Sequence, residues 1–136
     1  MNVIRCLDDR GGMMFNHRRQ SRDREVIKDI FNMIGDRPLF LNSYSAPLFS
    51  EKEDQLRIDE KFLDTVGEDE WCFVENRALL PYANHIETMV LYRWNRTYPF
   101  DMKMDIDPAF MGLVLCETVD FVGFSHEKIT KEVYKR

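Results

Sequence analysis

The sequence predicts a single α/β domain. Its mixed central sheet is flanked by helices and finished by a C-terminal antiparallel hairpin. Three observations carry that expectation. The 136 residues contain no repeat, no low-complexity tract and no Ser/Pro linker, which fits one domain with a real core. Short apolar runs alternate with helical patterns through the first two thirds of the chain. The last third offers two β-rich runs separated by Gly123.

Taken in order, residues 2–8 read as a short strand ending at Asp8-Asp9. Arg10-Gly11-Gly12 then forces a turn, because Gly accepts positive φ cheaply. Residues 13–21 look irregular and polar. A helix starts near Ser21-Arg22-Asp23, and Val26, Ile27, Ile30, Phe31 and Ile34 form its apolar stripe. Gly35 suits the position just past the helix, and Pro38 cannot continue it. Residues 39–41 form a strand, 43–50 a loop or a single helical turn, and 56–58 a brief strand. Residues 60–66 suggest a short helix ended by Gly67. Trp71-Cys72-Phe73-Val74 is a continuous apolar run, as expected of a buried central strand. A helix is expected over about 77–84 and a strand over 88–94. Strands at 113–121 and 127–135 complete the chain.

Composition narrows the class without naming a function. The chain is 44% hydrophobic and 32% charged, which excludes wholesale disorder. No apolar run approaches the roughly 18 residues of a membrane span. The start, MNVIRCLDDR, lacks the basic opening and long apolar region of a secretory signal, so the chain reads as cytoplasmic. A net charge of −5 opposes non-specific nucleic-acid binding. Cys6, Cys72 and Cys116 lie in apolar stretches with no CxxC spacing, so they read as buried free thiols.

Val3-Ile4-Arg5-Cys6-Leu7-Asp8 with Gly11-Gly12 resembles the first strand, and the loop after it, of the dihydrofolate reductase family. Asp23-Arg24-Glu25-Val26-Ile27-Lys28-Asp29-Ile30 is similar to its acid-led first helix, and Arg37-Pro38-Leu39-Phe40-Leu41 to its second strand. Trp71-Cys72-Phe73-Val74, Leu80-Pro81-Tyr82-Ala83 and Glu87-Thr88-Met89-Val90-Leu91 are the most specific matches. Glu117 through Ser125, with Thr130-Lys131-Glu132-Val133-Tyr134, looks like the C-terminal hairpin. The chain thus resembles a shortened dihydrofolate reductase, with the shortfall expected between residues 43 and 80.

The resemblance implies NADPH as cofactor and a pterin-like substrate, but two departures touch the cofactor site. Where the family has a Gly-Gly pair that lets backbone approach the pyrophosphate, this chain has Glu75-Asn76. A carboxylate there is favoured by a helix N-terminus but repels phosphate. The family's Gly-Arg and Thr after the second strand correspond to Asn42, Ser43 and Ser45. Arg57 is the nearby candidate for the family's folate-gripping arginine. Asp23 matches the active-site acid, which hydrogen-bonds the pteridine and assists protonation; it also reads as a plain helix cap.

Other groups are weaker signals. His17, Arg18, Arg19 and Arg22 form a basic stretch suited to phosphate or an RNA backbone, or simply to a solvated loop. His17, His85 and His126 show no metal-ligand spacing, so no metal is expected. Asp101, Asp105 and Asp107 alternate with Met102, Met104 and Ile106, as in an edge segment with one wet face. The aromatic loop from Trp94 to Phe100 suits stacking on a flat ligand, a partner surface or the domain's own core.

The functional expectation is a non-reductase small-ligand-binding or regulatory protein. Its pocket is expected between Asp8, Asp23 and the loops after residues 39–41 and 71–74. The alternative is an NADPH-dependent reductase using Asp23, and a third reading is a phosphate- or RNA-contacting protein using Arg18, Arg19 and Arg22. A homodimer is compatible with the aromatic loop and the short sheet edges.

Overall fold

A computed structural model describes residues 1–136. Ten strands occur in chain order: β1 (Asn2–Leu7), β2 (Gly12–Phe15), β3 (Arg18–Arg19), β4 (Leu39–Leu41), β5 (Leu56–Ile58), β6 (Trp71–Phe73), β7 (Thr88–Arg93), β8 (Met102–Lys103), β9 (Val114–Phe121) and β10 (Ile129–Lys135). Two α-helices accompany them, α1 (Arg24–Ile34) and α2 (Phe62–Thr65). Seven strands form one sheet in the order β5-β4-β6-β1-β7-β10-β9. The pairs among β5, β4, β6, β1 and β7 are parallel, while β10 runs antiparallel to both β7 and β9. This is the mixed sheet with a C-terminal hairpin that the sequence predicts.

The central strands are covered on both faces, which is why they read as apolar runs rather than as simple alternations. On one face, Ile4, Phe73, Val90 and Tyr92 pack against Val26, Ile30 and Ile34 of α1. On the other, Val3, Cys72, Met89 and Leu91 pack with Met13, Met14, Leu79 and Leu113. Gly35 ends α1 at φ 64, and its N–H donates to the Phe31 carbonyl.

Several expectations need correction. The helix expected over 77–84 is a 3₁₀ segment, Leu80–His85, with Pro81 near its start and no buried residue. Without an apolar stripe to dock, six residues cannot sustain an α-helix. The loop or single turn at 43–50 is a longer, kinked 3₁₀ segment, Ala46–Gln55, anchored by Phe49 against Phe31 and Phe73. The short helix at 60–66 contracts to α2. Only α1 is therefore a full flanking helix.

Residues 13–21 are not irregular. They carry the β2–β3 hairpin, which pairs Met14 with Arg19 and Phe15 with Arg18, and β2 also pairs with β8. Asn16 and His17 turn it with φ of 52 and 61, the left-handed pair a tight hairpin requires. Cys116 is exposed rather than buried, because β9 is an edge strand open along almost its whole length. Cys72 is buried, and that burial pushes its thiol up to about 12. No helix is long and apolar enough to cross a membrane.

Candidate functional site

The parallel strands all point their carboxyl ends the same way, and the chain leaves them at Asp8 after β1, Asn42 after β4, Glu75 after Val74 beyond β6, and Trp94 after β7. The sheet therefore gathers most of the expected site residues at one end, as open α/β sheets do. Two polar clusters form there.

The first is built on Glu75. Its carboxylate accepts two hydrogen bonds from Arg19, Nε at 2.8 Å and Nη2 at 3.0 Å, and a third from Ser45 Oγ at 2.7 Å. The β2–β3 hairpin delivers Arg19, whose guanidinium also lies over the Tyr44 ring at 4.8 Å. The Arg19 backbone N–H donates to the Tyr44 hydroxyl at 2.8 Å. Asn42 ties the turn together: its amide donates to Asn76 at 2.8 Å and its carbonyl oxygen accepts from the Ser45 N–H at 3.2 Å. The hairpin is thereby pinned across the carboxyl ends of β4 and β6. Burial of the Arg19 guanidinium works against its charge, but the Glu75 carboxylate outweighs that and raises its pKa.

The second cluster is built on Asp23, which is buried and caps α1. Its carboxylate accepts from the backbone N–H groups of Glu25, Phe124 and Ser125, each at 2.9 Å, and meets His126 Nδ1 at 2.9 Å. Burial alone would raise the pKa of this carboxyl group. The donors from Phe124, His126, Ser125 and Glu25 overcome it and hold the group well below the usual carboxylate range. Gly123 lets the β9–β10 turn come this close, since a Cβ there would sit 2.6 Å from Asp23 Oδ2. His126 is itself buried, and its ring stacks on Trp94 with centroids 4.6 Å apart. Its Nε2 faces Ser21 Oγ at 3.0 Å and Tyr98 Oη at 3.2 Å.

The remaining expected residues are placed more simply. Asp8 is fully buried and accepts from the N–H groups of Arg10, Gly12 and Tyr98 and from the Gln20 amide, so it fixes the loop after β1. Trp94 is buried, so the first ring of the aromatic loop belongs to the core. Ser43 is exposed, and its N–H donates to Glu60 at 2.8 Å. Arg57 lies on β5 at the far edge of the sheet, exposed and bonded only to the Asp54 and Leu56 carbonyls. The basic stretch is split, with Arg18 and Arg22 exposed and Arg19 turned inward to Glu75.

Arg5 was not singled out by sequence, yet it is wholly buried in β1. Its guanidinium donates to the Arg77 and Val74 carbonyls and lies 3.6 Å from Asp105. Burial lowers its pKa to about 10 against the opposing pull of Asp105. Asp105 also accepts from the Leu79 and Leu80 N–H groups, so this pair fastens the segment after β8 onto the turn after β6. An arginine inside an apolar strand run was the available signal.

A cavity of about 320 Å³ opens beside both clusters, under the β2–β3 hairpin. Phe15, Arg18, Gln20, Tyr98 and Pro99 are among its walls. Arg18 makes no ion pair, and Tyr98 belongs both to the cavity and to the His126 cluster.

No protein-family model and no curated protein sequence matches the chain. Among solved structures, a dihydrofolate reductase from Enterococcus faecalis, complexed with NADP(H) and RAB-propyl, superposes with a TM-score of 0.69. The likeness covers 99% of this chain and 95% of that one at 10% identity. The fold is dihydrofolate-reductase-like. At that identity the likeness fixes the architecture and leaves the chemistry to the residues of this chain. The dihydrofolate-reductase-like sheet is what brings Asp8, Glu75 and Trp94 to a common end.

Proposed function

We propose that the protein is a non-reductase, small-ligand-binding user of the dihydrofolate-reductase-like fold. The observation that carries this reading is the bidentate Arg19–Glu75 pair closed by Ser45. By resemblance to the reductases, a cofactor pyrophosphate would be expected where Glu75 and Asn76 stand. A carboxylate repels phosphate at that point, and the arginine beside it is already engaged. The residues present do not fit a dinucleotide. Asp23 fits the reductase role poorly as well, because its oxygens already take three backbone N–H groups and a histidine. The cavity against the hairpin is the ligand site this reading uses, with the unpaired Arg18 favouring a small anionic molecule.

Thermal melting with millimolar NADPH and NADP⁺ tests the reading. A ligand at 100 times its dissociation constant adds roughly 2.7 kcal/mol. The expected result is no shift for the natural sequence and a measurable gain of nucleotide affinity in Glu75→Gly, which removes the carboxylate and frees Arg19. A clear NADPH shift in the unaltered protein would return the reductase reading to first place.

A further inference from the structure

We propose that Ser21, His126 and Asp23 form a hydrolytic triad that cleaves a small anionic ester through an acyl-Ser21 intermediate. The inference rests on the cavity as the ligand site, but not on the closed Glu75 cluster. Nothing in the sequence pattern suggests it, because Ser21 and Asp23 lie 105 and 103 positions from His126.

The geometry supplies each role. Asp23 accepts from three backbone N–H groups, so it can meet His126 only as an acceptor, at 2.9 Å from Nδ1. The neutral ring then carries its proton on Nδ1 and its lone pair on Nε2. Ser21 Oγ lies 3.0 Å from that lone pair, within the reach a general base needs. Stacking on Trp94 and near-complete burial hold the ring in this orientation. Tyr98 Oη is 3.2 Å from the same nitrogen. One lone pair accepts only one hydroxyl proton at a time. When Ser21 donates, the Tyr98 O–H is free to donate to the oxygen of a tetrahedral intermediate.

The proposal seats the substrate in the neighbouring cavity, which shares Tyr98 with the group. Tyr98 and Gln20, the neighbour of Ser21, both line it, and Arg18 offers an unpaired guanidinium for an anionic substituent. In the first step Ser21 Oγ bonds to the ester carbonyl carbon and its proton passes to His126 Nε2. The carbon–oxygen bond to the alcohol breaks, and the alcohol leaves with that proton. Water then gives a proton to Nε2 and its oxygen attacks the acyl carbon. The acid is released, and Ser21 recovers the proton. Atoms balance with water as the only co-reactant, and no redox change occurs.

The test exposes the full chain to a fluorophosphonate, a probe that phosphonylates activated serines, and locates the adduct by peptide mass spectrometry. One adduct on Ser21 is expected, absent in Ser21→Ala and formed at least ~100-fold more slowly in His126→Gln. The hydrolysis of mono-p-nitrophenyl succinate should exceed that of p-nitrophenyl acetate, and Arg18→Ala should remove the preference. No adduct at Ser21, or equal ester hydrolysis by Ser21→Ala, would overturn the proposal. Ser21→Ala is only partly buried and leaves the Asp23–His126 contact in place, so its fold is not at issue. A nucleotide shift in melting would count against the closed cleft, whereas an unreactive Ser21 would count against the triad alone.

Discussion

Two clusters share one end of the sheet, and they use their hydrogen bonds differently. Around Glu75 a carboxylate meets a guanidinium and a hydroxyl, and every strong group satisfies another. The result is a clasp that pins the hairpin to the turns after β4 and β6. Around Asp23 the carboxylate is just as fully engaged, but one of its partners is a histidine that passes the interaction on to two hydroxyls. The first cluster closes on itself and the second ends on oxygen atoms beside a cavity. Arg19 and Ser21 reach the two clusters with only Gln20 between them. A three-residue segment therefore couples the clasp to the relay. Charge at the carboxyl ends of parallel strands is thus not a sufficient mark of a reactive site; what matters is where the chain of donors stops.

The largest effect should come from breaking the second cluster at its root. Asp23→Ala removes the cap of α1 and the shared acceptor of the Phe124 and Ser125 N–H groups and of the buried His126 Nδ1. A loss of about 3–5 kcal/mol is expected by denaturant unfolding. The pH dependence has a definite sign. The folded pKa of Asp23 is depressed, so its contribution is complete above the unfolded value of about 3.9 and is lost as pH falls through the lower folded value. The gap between natural and Asp23→Ala stabilities should therefore shrink as pH falls below about 4. A gap unchanged down to pH 2 would contradict the assigned hydrogen bonds.

An intermediate effect should follow from opening the clasp. A double-mutant cycle on Arg19→Ala and Glu75→Ala should give a coupling of about 1–2 kcal/mol, larger than an exposed pair because the contact is bidentate and only partly wet. The coupling should weaken only modestly in 1 M salt. A value near zero would mean that the hairpin is held by its β2–β8 pairing instead.

The smallest effect on stability should come from the end of the relay. Ser21→Ala should change unfolding free energy by no more than about 0.5–1 kcal/mol, since Tyr98 remains to satisfy His126 Nε2. A large loss would recast Ser21 as part of the structural cap and sharpen the contrast between the clusters in the opposite direction.

Much of the fold was legible because its signals are local. The stripe from Val26 to Ile34, the stop at Gly35 and Pro38, and the apolar run at Trp71–Val74 each report periodicity or turn chemistry within a dozen residues. The 3₁₀ segment at Leu80–His85 departs from the expected α-helix because only Tyr82 packs against the core and no residue of the segment is buried, and docking is a tertiary fact. The β2–β3 hairpin was missed because it is short and polar on its outer strand. Of the site, Asp23, Glu75, Asn76 and Ser45 were recognisable as positions. Their partners were not: Arg19 reaches Glu75 across 56 residues, and His126 reaches Asp23 across 103.

By itself the sequence determined the α/β class, the main helix and its limits, the buried central strands and the unusual carboxylate at position 75. Each follows from side-chain periodicity, backbone preference or charge within a short stretch. Only the tertiary structure decided that Arg19 closes on Glu75 and that Asp23, His126 and Ser21 line up in one relay. The reason is physical. A hydrogen bond is set by a few tenths of an ångström between atoms on separate elements, and that distance is fixed by how the sheet orders its strands, not by any residue's neighbours in the chain.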